Sequence, residues 1–211
     1  MAAAGSGNAA DLLTQSAAAN MRFPSMSCSY FPLDVMLQGR VCTFYVFPRP
    51  HLRSFLRLLA PCFELVVFTA SEERYAAPLV DLIDVDSLIS RRFFRTDCTR
   101  IGGRYVKNLS VVRADLSRVC ILDNSPVAYE KQPQNAIPCS PWYAEGPDDA
   151  ELRELVPFLR SLAVCDDLRS ALALRVHAGL AASAVDRNLD APHLSEGVGG
   201  VTARANAHTR S

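Results

Sequence analysis

No stretch of this chain approaches 18 uninterrupted apolar residues, so no membrane-spanning helix is expected. There is no surplus charge of either sign. The 22 Lys and Arg residues are matched by 22 Asp and Glu, which argues against a general nucleic-acid binder. The first 20 residues lack both a positive charge and a compact apolar core, and so do not form a secretory signal. Seven cysteines are present but no C-x-x-C pair, so a zinc site is not expected. Their number is odd, and Cys62 and Cys120 lie inside apolar runs, which points to reduced thiols in a reducing compartment. Lysine is scarce: Lys107 and Lys131 are the only two among the 22 basic residues.

What remains is ordinary globular composition, 49% apolar and 21% charged over 211 residues, enough for one domain with a full core. Residues 1–27 are rich in Ala, Ser, Gly and Asn and are expected to be disordered. Residues 177–211 show no sustained period and read as a flexible tail. The organised part is 28–176, where strands and helices alternate. Val41–Phe47 is β-rich. Pro48-Arg49-Pro50 ends it and opens a helix with Leu52, Phe55, Leu56 and Leu59 on one face. Phe63–Phe68 (FELVVF) and Arg118–Leu122 (RVCIL) read as strands buried on both faces. A helix from about Ser71 turns Tyr75, Leu79, Leu82 and Ile83 inward. Residues 91–106 read as a hairpin turning at Gly102-Gly103. Asp148–Leu162 is an amphipathic helix, and a last helix capped by Asp166 or Asp167 runs to about Val176.

This alternation implies an α/β fold with a parallel sheet covered on both faces. Ligands of such sheets bind at the carboxyl ends of the strands. Thr69 follows FELVVF there, and Asp123 follows RVCIL. Thr69 is either a phosphate-holding hydroxyl or a helix cap. Asp123-Asn124 is either a pair of hard oxygen ligands for Mg²⁺ or an Asx-type turn closed by Ser125-Pro126. Lys107 is either a compact point charge for a phosphoryl group or a solvated surface lysine. Residues 91–107 carry Arg91, Arg92, Arg95, Arg100, Arg104 and Lys107 against the single acid Asp97. Such a local excess suits a phosphorylated or acidic ligand unless it is merely a solvated face.

Seven short motifs in order carry a resemblance: RPH-x-x-x-FL (49–56), VVFTAS (66–71), RFFR-x-x-C (92–98), YVKNLS (105–110), ILDNSP (121–126), NAIP (135–138) and Trp142. Over residues 28–174 the chain resembles the protein-phosphatase domain of the haloacid-dehalogenase superfamily, as found in phosphatases of the RNA-polymerase C-terminal tail and of the nuclear envelope. The resemblance implies a three-layer α/β sandwich with a central parallel sheet and a small β-hairpin insert. It implies hydrolysis of phosphoserine or phosphothreonine proteins through an aspartyl-phosphate with Mg²⁺. By resemblance, Thr69 holds a phosphate oxygen, Lys107 steadies nucleophile and phosphate, Asp123 and Asn124 complete the Mg²⁺ shell, Arg95 meets the substrate phosphate, and Trp142 is core. A nuclear, nuclear-envelope or cytoplasmic location is implied, with the mitochondrion a lesser alternative.

The family's nucleophile motif, D-x-D-x-T or D-x-D-x-V at the end of a first strand, is absent. Asp34 has Met36 two residues on, and Asp11-Leu12-Leu13-Thr14 lacks the second acid. Asp84-Val85-Asp86 falls where the helix after FTAS ends and is a coincidence of spelling. In this fold the missing strand lies between the FTAS and LDNS strands. Residues 10–30 fill that gap, or the two strands pair directly, or the chain is incomplete at its start. The expectation is an incomplete Mg²⁺-dependent protein serine/threonine phosphatase, inactive as written. The alternatives are a catalytically dead phosphopeptide-binding domain and a domain of a mitochondrial inner-membrane import subunit.

Overall fold

The computed structural model describes residues 30–37, 39–144, 146–174 and, as backbone, 200–205. It opens with a hairpin, β1 (Phe31–Leu37) and β2 (Arg40–Val46), closed by a two-residue turn. Gly39 sits there at φ 78°, a conformation that glycine adopts without a side-chain clash. The sequence reading had placed only the second strand of this pair. Helix α1 (Leu52–Leu59) follows Pro48-Arg49-Pro50 and buries Phe55, Leu56 and Leu59, as the spacing requires. Strand β3 (Phe63–Phe68) leads to helix α2 (Glu73–Ile83) and strand β4 (Ile89–Phe93). A small hairpin follows, β5 (Thr99–Ile101) and β6 (Arg104–Val106). Gly102 and Gly103, at φ 56° and 81°, form its turn; two successive positive φ angles match the twist of a tight hairpin. Strands β7 (Val119–Asp123) and β8 (Ala136–Pro138), helix α3 (Glu151–Leu162) and a short helix α4 over 168–174 complete the ordered core.

The main sheet has the order β4-β3-β9-β7-β8, where β9 is Gly200–Ala205. β3 pairs parallel with β4, and β7 parallel with β8. β9 runs antiparallel to both inner strands. The expected parallel sheet is therefore mixed. β3 and β7 do not pair with each other, and the slot between them is filled from the stretch read as a tail. The remainder of 177–211, and residues 1–29, lie outside the described residues.

Leucine-rich faces of α1, α3 and α4 pack on one side of the sheet, against Leu65, Cys120, Leu122 and Ile137. All five α3 positions picked out by period, Leu152, Leu155, Val156, Leu159 and Leu162, are buried. The opposite side is closed by short 3-10 turns rather than long helices. Leu109, Ala128 and Tyr129 cover Val119 and Ile121, and Val112 covers Val66 and Phe68. Helix α2 instead packs Leu79 on Leu33 and Val35 of β1. This turns Leu82 outward, against expectation, while Ala76 and Val80 are buried in its place. Residues 91–106 are not one hairpin, because 89–93 pair with β3 as an edge strand and only 99–106 fold back.

Leu159 is 1% exposed at the centre of the helical layer. Leu159→Ala should cost about 2–5 kcal/mol, the range for emptying a buried leucine site. Urea unfolding of the two chains measures it, and a loss below 1 kcal/mol (about a fivefold equilibrium change) would contradict this packing.

Candidate functional site

Of the site residues expected from sequence, Thr69 follows β3 and Asp123 and Asn124 lie at the end of β7, whereas Lys107 follows β6 and Arg95 follows β4. Asp123 ends β7 and is 4% exposed. Lys107 follows β6 and is also 4% exposed, so it is no solvated surface lysine. Its Nζ donates to Asp123 Oδ2 at 2.5 Å. The backbone N–H of Lys107 donates to Ala128 O, 2.7 Å away, which fixes the lysine to the turn after β7. The other carboxylate oxygen, Oδ1, accepts the Ser125 N–H at 2.8 Å. Of the two readings of LDNS, the Asx-type turn is the one seen, and the same aspartate also faces a buried ammonium. A buried ion pair is seldom more stable than apolar side chains of the same volume. Its place at two strand ends therefore points to use rather than to folding.

Thr69 is 2% exposed just past β3. Its backbone N–H donates to Phe93 O, and its Oγ1 accepts the Ser71 N–H at 3.0 Å. The hydroxyl thus shapes the turn into α2, while its own hydrogen meets no acceptor among the described residues. Asn124 is half-buried beside Asp123. Arg95 does not stand free at the crevice. Its Nε donates to Ala70 O at 2.6 Å, its guanidinium lies 3.6 Å from Glu72, and it stacks 5.1 Å from the Tyr105 ring centre.

The basic surplus of 91–107 is largely cancelled in three dimensions. Arg91 pairs with Glu64, Arg92 with Asp81, Arg95 with Glu72, Arg104 with Glu130 and Lys107 with Asp123. Arg100 alone of the six has no carboxylate partner among the described residues; it lies over Tyr105, its direct cross-strand neighbour. A count of charge along the sequence misses this, because the neutralising acids come from other elements. Tyr105 was missed as well, although its spacing two residues before Lys107 is the signal that would have found it.

Two cysteines flank the site. Cys139 donates its backbone N–H to Asp123 O at 3.3 Å, and Cys98 Sγ lies 3.9 Å from Thr69 O. Burial, with the carboxylates of Glu151 and Asp123 adding to it, pushes the Cys139 thiol up to about 11. Burial also raises Cys98. Neither is a thiolate at neutral pH, so the site does not offer a cysteine nucleophile. No disulfide joins any two of the six described cysteines.

Asp84 and Asp86, the stray D-x-D, have structural duties. Asp84 accepts the Leu88 and Ile89 N–H groups, and Asp86 pairs with Arg53 and Arg57. Trp142 is only half-buried, against its expected core position, and its buried Nε1 has no partner among the described residues. Arg49 is a clamp. It grips Asp149 through Nε (2.8 Å) and a terminal nitrogen (2.7 Å), reaches Glu151 at 2.6 Å, and donates to Ser140 O. It ties the approach to α1 to the loop after β8. A cavity of about 860 Å³ lies near that clamp, lined by residues such as Phe31, His51, Arg57 and Leu82, and holds none of the strand-end residues.

Residues 12–169 match the family model described as NLI interacting factor-like phosphatase. CTD nuclear envelope phosphatase 1 of Xenopus tropicalis is 44% identical over 148 residues, covering 70% of this chain and 60% of that protein. The human carboxy-terminal domain RNA polymerase II polypeptide A small phosphatase 1 is 41% identical over 150 residues, 71% of this chain and 57% of that protein. The chain thus spans about 60% of the length of such relatives. A solved structure of Fcp1, an RNA polymerase II CTD phosphatase, aligns at 19% identity and TM-score 0.46, over 88% of this chain and 48% of that one.

Removing one partner of the strand-end pair leaves a buried charge unmatched. Lys107→Met should cost about 3–5 kcal/mol in urea unfolding, and Lys107→Met with Asp123→Leu should recover most of that loss. Equal losses in the single and double variants would contradict a buried pair. The clamp has a pH signature. Arg49 lowers the pKa of Asp149, chiefly through their hydrogen bonds. Its stabilisation is complete above about pH 4, the ordinary aspartate value, and is lost as pH falls through the lower folded value. Asp149→Asn should flatten the acid limb of a stability-versus-pH curve; an unchanged limb would place the clamp elsewhere.

Proposed function

Because the chain belongs to the NLI interacting factor-like phosphatase family, we propose that it is the phosphate-recognising part of a protein serine/threonine phosphatase. The observation that carries this reading is the buried Lys107–Asp123 pair at the carboxyl ends of the inner strands. An ammonium has three donors, and one is spent on Asp123. The other two and the Thr69 hydroxyl are the groups that would hold phosphoryl oxygens. Arg95, steadied on Tyr105 and the Ala70 carbonyl, would meet the rest of a phosphopeptide. The substrate class is a protein or peptide phosphorylated on serine or threonine. The names of the relatives favour the nucleus or nuclear envelope as its place of work, and nothing in them favours the mitochondrial import reading. Among the described residues no helix is long and apolar enough to cross a membrane.

Hydrolysis in this family runs on the first aspartate of a D-x-D-x-T or D-x-D-x-V motif, which this sequence does not contain. Asp123 and Asn124 are the two oxygen donors that would face the Mg²⁺ the family implies; Mg²⁺ takes one or two carboxylates and keeps several waters, and Lys107 already offsets the one carboxylate here. No cluster of three or more Asp, Glu, His or Cys suited to a metal forms among the described residues. Recognition of phosphate depends on none of these.

Fluorescence anisotropy with a labelled phosphoserine peptide and its unphosphorylated twin tests the reading. The phosphopeptide should bind more tightly. Arg95→Ala should weaken it by about tenfold, the worth of one charge-assisted hydrogen bond, and no inorganic phosphate should be released. Equal binding of the two peptides would sink the proposal. Phosphate release would show that a nucleophile is present after all and would replace recognition with catalysis.

A further inference from the structure

The sheet is completed by a strand that resembles none of its neighbours. β3 and β7 are Phe-Glu-Leu-Val-Val-Phe and Val-Cys-Ile-Leu-Asp, buried almost throughout. β9 between them is Gly-Val-Thr-Ala-Arg-Ala. Glycine and alanine have low β-propensity and little apolar surface to bury. β9 is also reversed, antiparallel to both of the strands it joins. It joins its neighbours through two ladders of backbone hydrogen bonds, and an empty slot would leave those groups unpaired inside the core. The slot therefore demands an occupant, and this one is poor in strand-forming residues.

We propose that the slot between β3 and β7 is a strand-exchange site, filled by the chain's own Gly200–Ala205 and open to the same segment of a second copy. Two observations favour that occupant over an unrelated strand. The first is register. Thr202 is opposite both Val66 and Ile121, Ala203 opposite Leu65 and Cys120, and Arg204 opposite Glu64 and Val119. Glu64 is the one charged residue of β3, and the position in register with it on β9 is an arginine, a residue of opposite charge. The second is reach. Residues 175–199 separate α4 from β9. Extended, they span up to about 80–90 Å at roughly 3.3–3.6 Å per residue, far more than a domain of this size. Connection to either copy is geometrically open, and exchange of an identical element is a low-cost route to dimers.

Exchange would bear on the site, because Gly200 is in register with Phe68, the residue before Thr69, and its neighbour Val201 with Leu122, the residue before Asp123. The slot opens at the crevice. The inference does not depend on phosphate recognition and would stand if that failed.

A disulfide trap in the full-length chain tests it. Val67 and Val201 are direct partners across the β3–β9 ladder. The Val67→Cys, Val201→Cys variant, oxidised dilute, should give a 67–201 crosslink within one chain. Concentrated and incubated before oxidation, it should give covalent dimers. Two mass-tagged pools, mixed first, should yield mixed dimers joined 67 to 201 on peptide mapping. Crosslinks confined to single chains at every concentration, or no 67–201 crosslink at all, would overturn the proposal. Hydrogen exchange on the unmodified chain gives an answer even if the variant does not fold. Amides of 200–205 and the β3 and β7 amides facing them should exchange together, about an order of magnitude ahead of those in α1 and α3, as a separately opening unit does. Exchange of all of them together with the helices would mark β9 as a permanent core strand and overturn the proposal.

Discussion

The inner edges of β3 and β7 lie in the middle of the core, each with a row of backbone N–H and C=O groups that water cannot reach. Each such group left unpaired costs on the order of 1–3 kcal/mol, and a typical domain has only about 5–15 kcal/mol of net stability. Whatever occupies the slot between these strands therefore decides whether the rest of the domain stands. Here it is Gly200–Ala205, running backwards. With the slot closed, β4 and β8 pair outward in parallel, the helices α1, α3 and α4 cover one face, and the 3-10 turns cover the other. The same pairing holds the ends of β3 and β7 at a fixed separation, and so places Thr69 and the Lys107–Asp123 pair on one rim.

Local rules made most of the fold legible. The period of apolar residues named the buried faces of α1 and α3, and the unbroken apolar runs named β3 and β7. Gly102-Gly103 marked the turn of the small hairpin. The α/β class followed from the order of these elements, and the haloacid-dehalogenase-like sandwich from the resemblance carried by the seven short motifs. The failures have a common cause. β4 reads like the arm of a hairpin because it runs on toward the Gly102-Gly103 turn, and only the neighbouring β3 makes it a sheet edge. β9 carries only Val201 and Thr202 as strand-forming residues. It is a strand because two partners need one, a requirement invisible within the segment itself. Leu82 was turned outward because α2 packs on the β1–β2 hairpin rather than on the main sheet.

The site was legible through contrast in composition. In a chain that uses arginine almost everywhere, a lysine stood out, and Lys107 is the buried one while Lys131 is exposed. Strand-end position named Thr69 and Asp123. What sequence could not show is how fully these groups are already engaged. Thr69 serves a turn, Asp123 divides its oxygens between Lys107 and Ser125, and Arg95 rests on Glu72 and Tyr105. A phosphate entering here would have to compete with contacts the protein makes for itself. Electrostatics favours it chiefly at Lys107, whose remaining donors point to no other carboxylate among the described residues.

The most direct test of the account is a crystal structure of this chain with a bound phosphoserine peptide. The account predicts the phosphoryl group at the carboxyl ends of β3 and β7, within hydrogen-bond distance of Lys107 Nζ and the Thr69 hydroxyl. A phosphoryl group bound instead in the cavity beside His51 and Arg57, with the Lys107–Asp123 pair untouched, would contradict it.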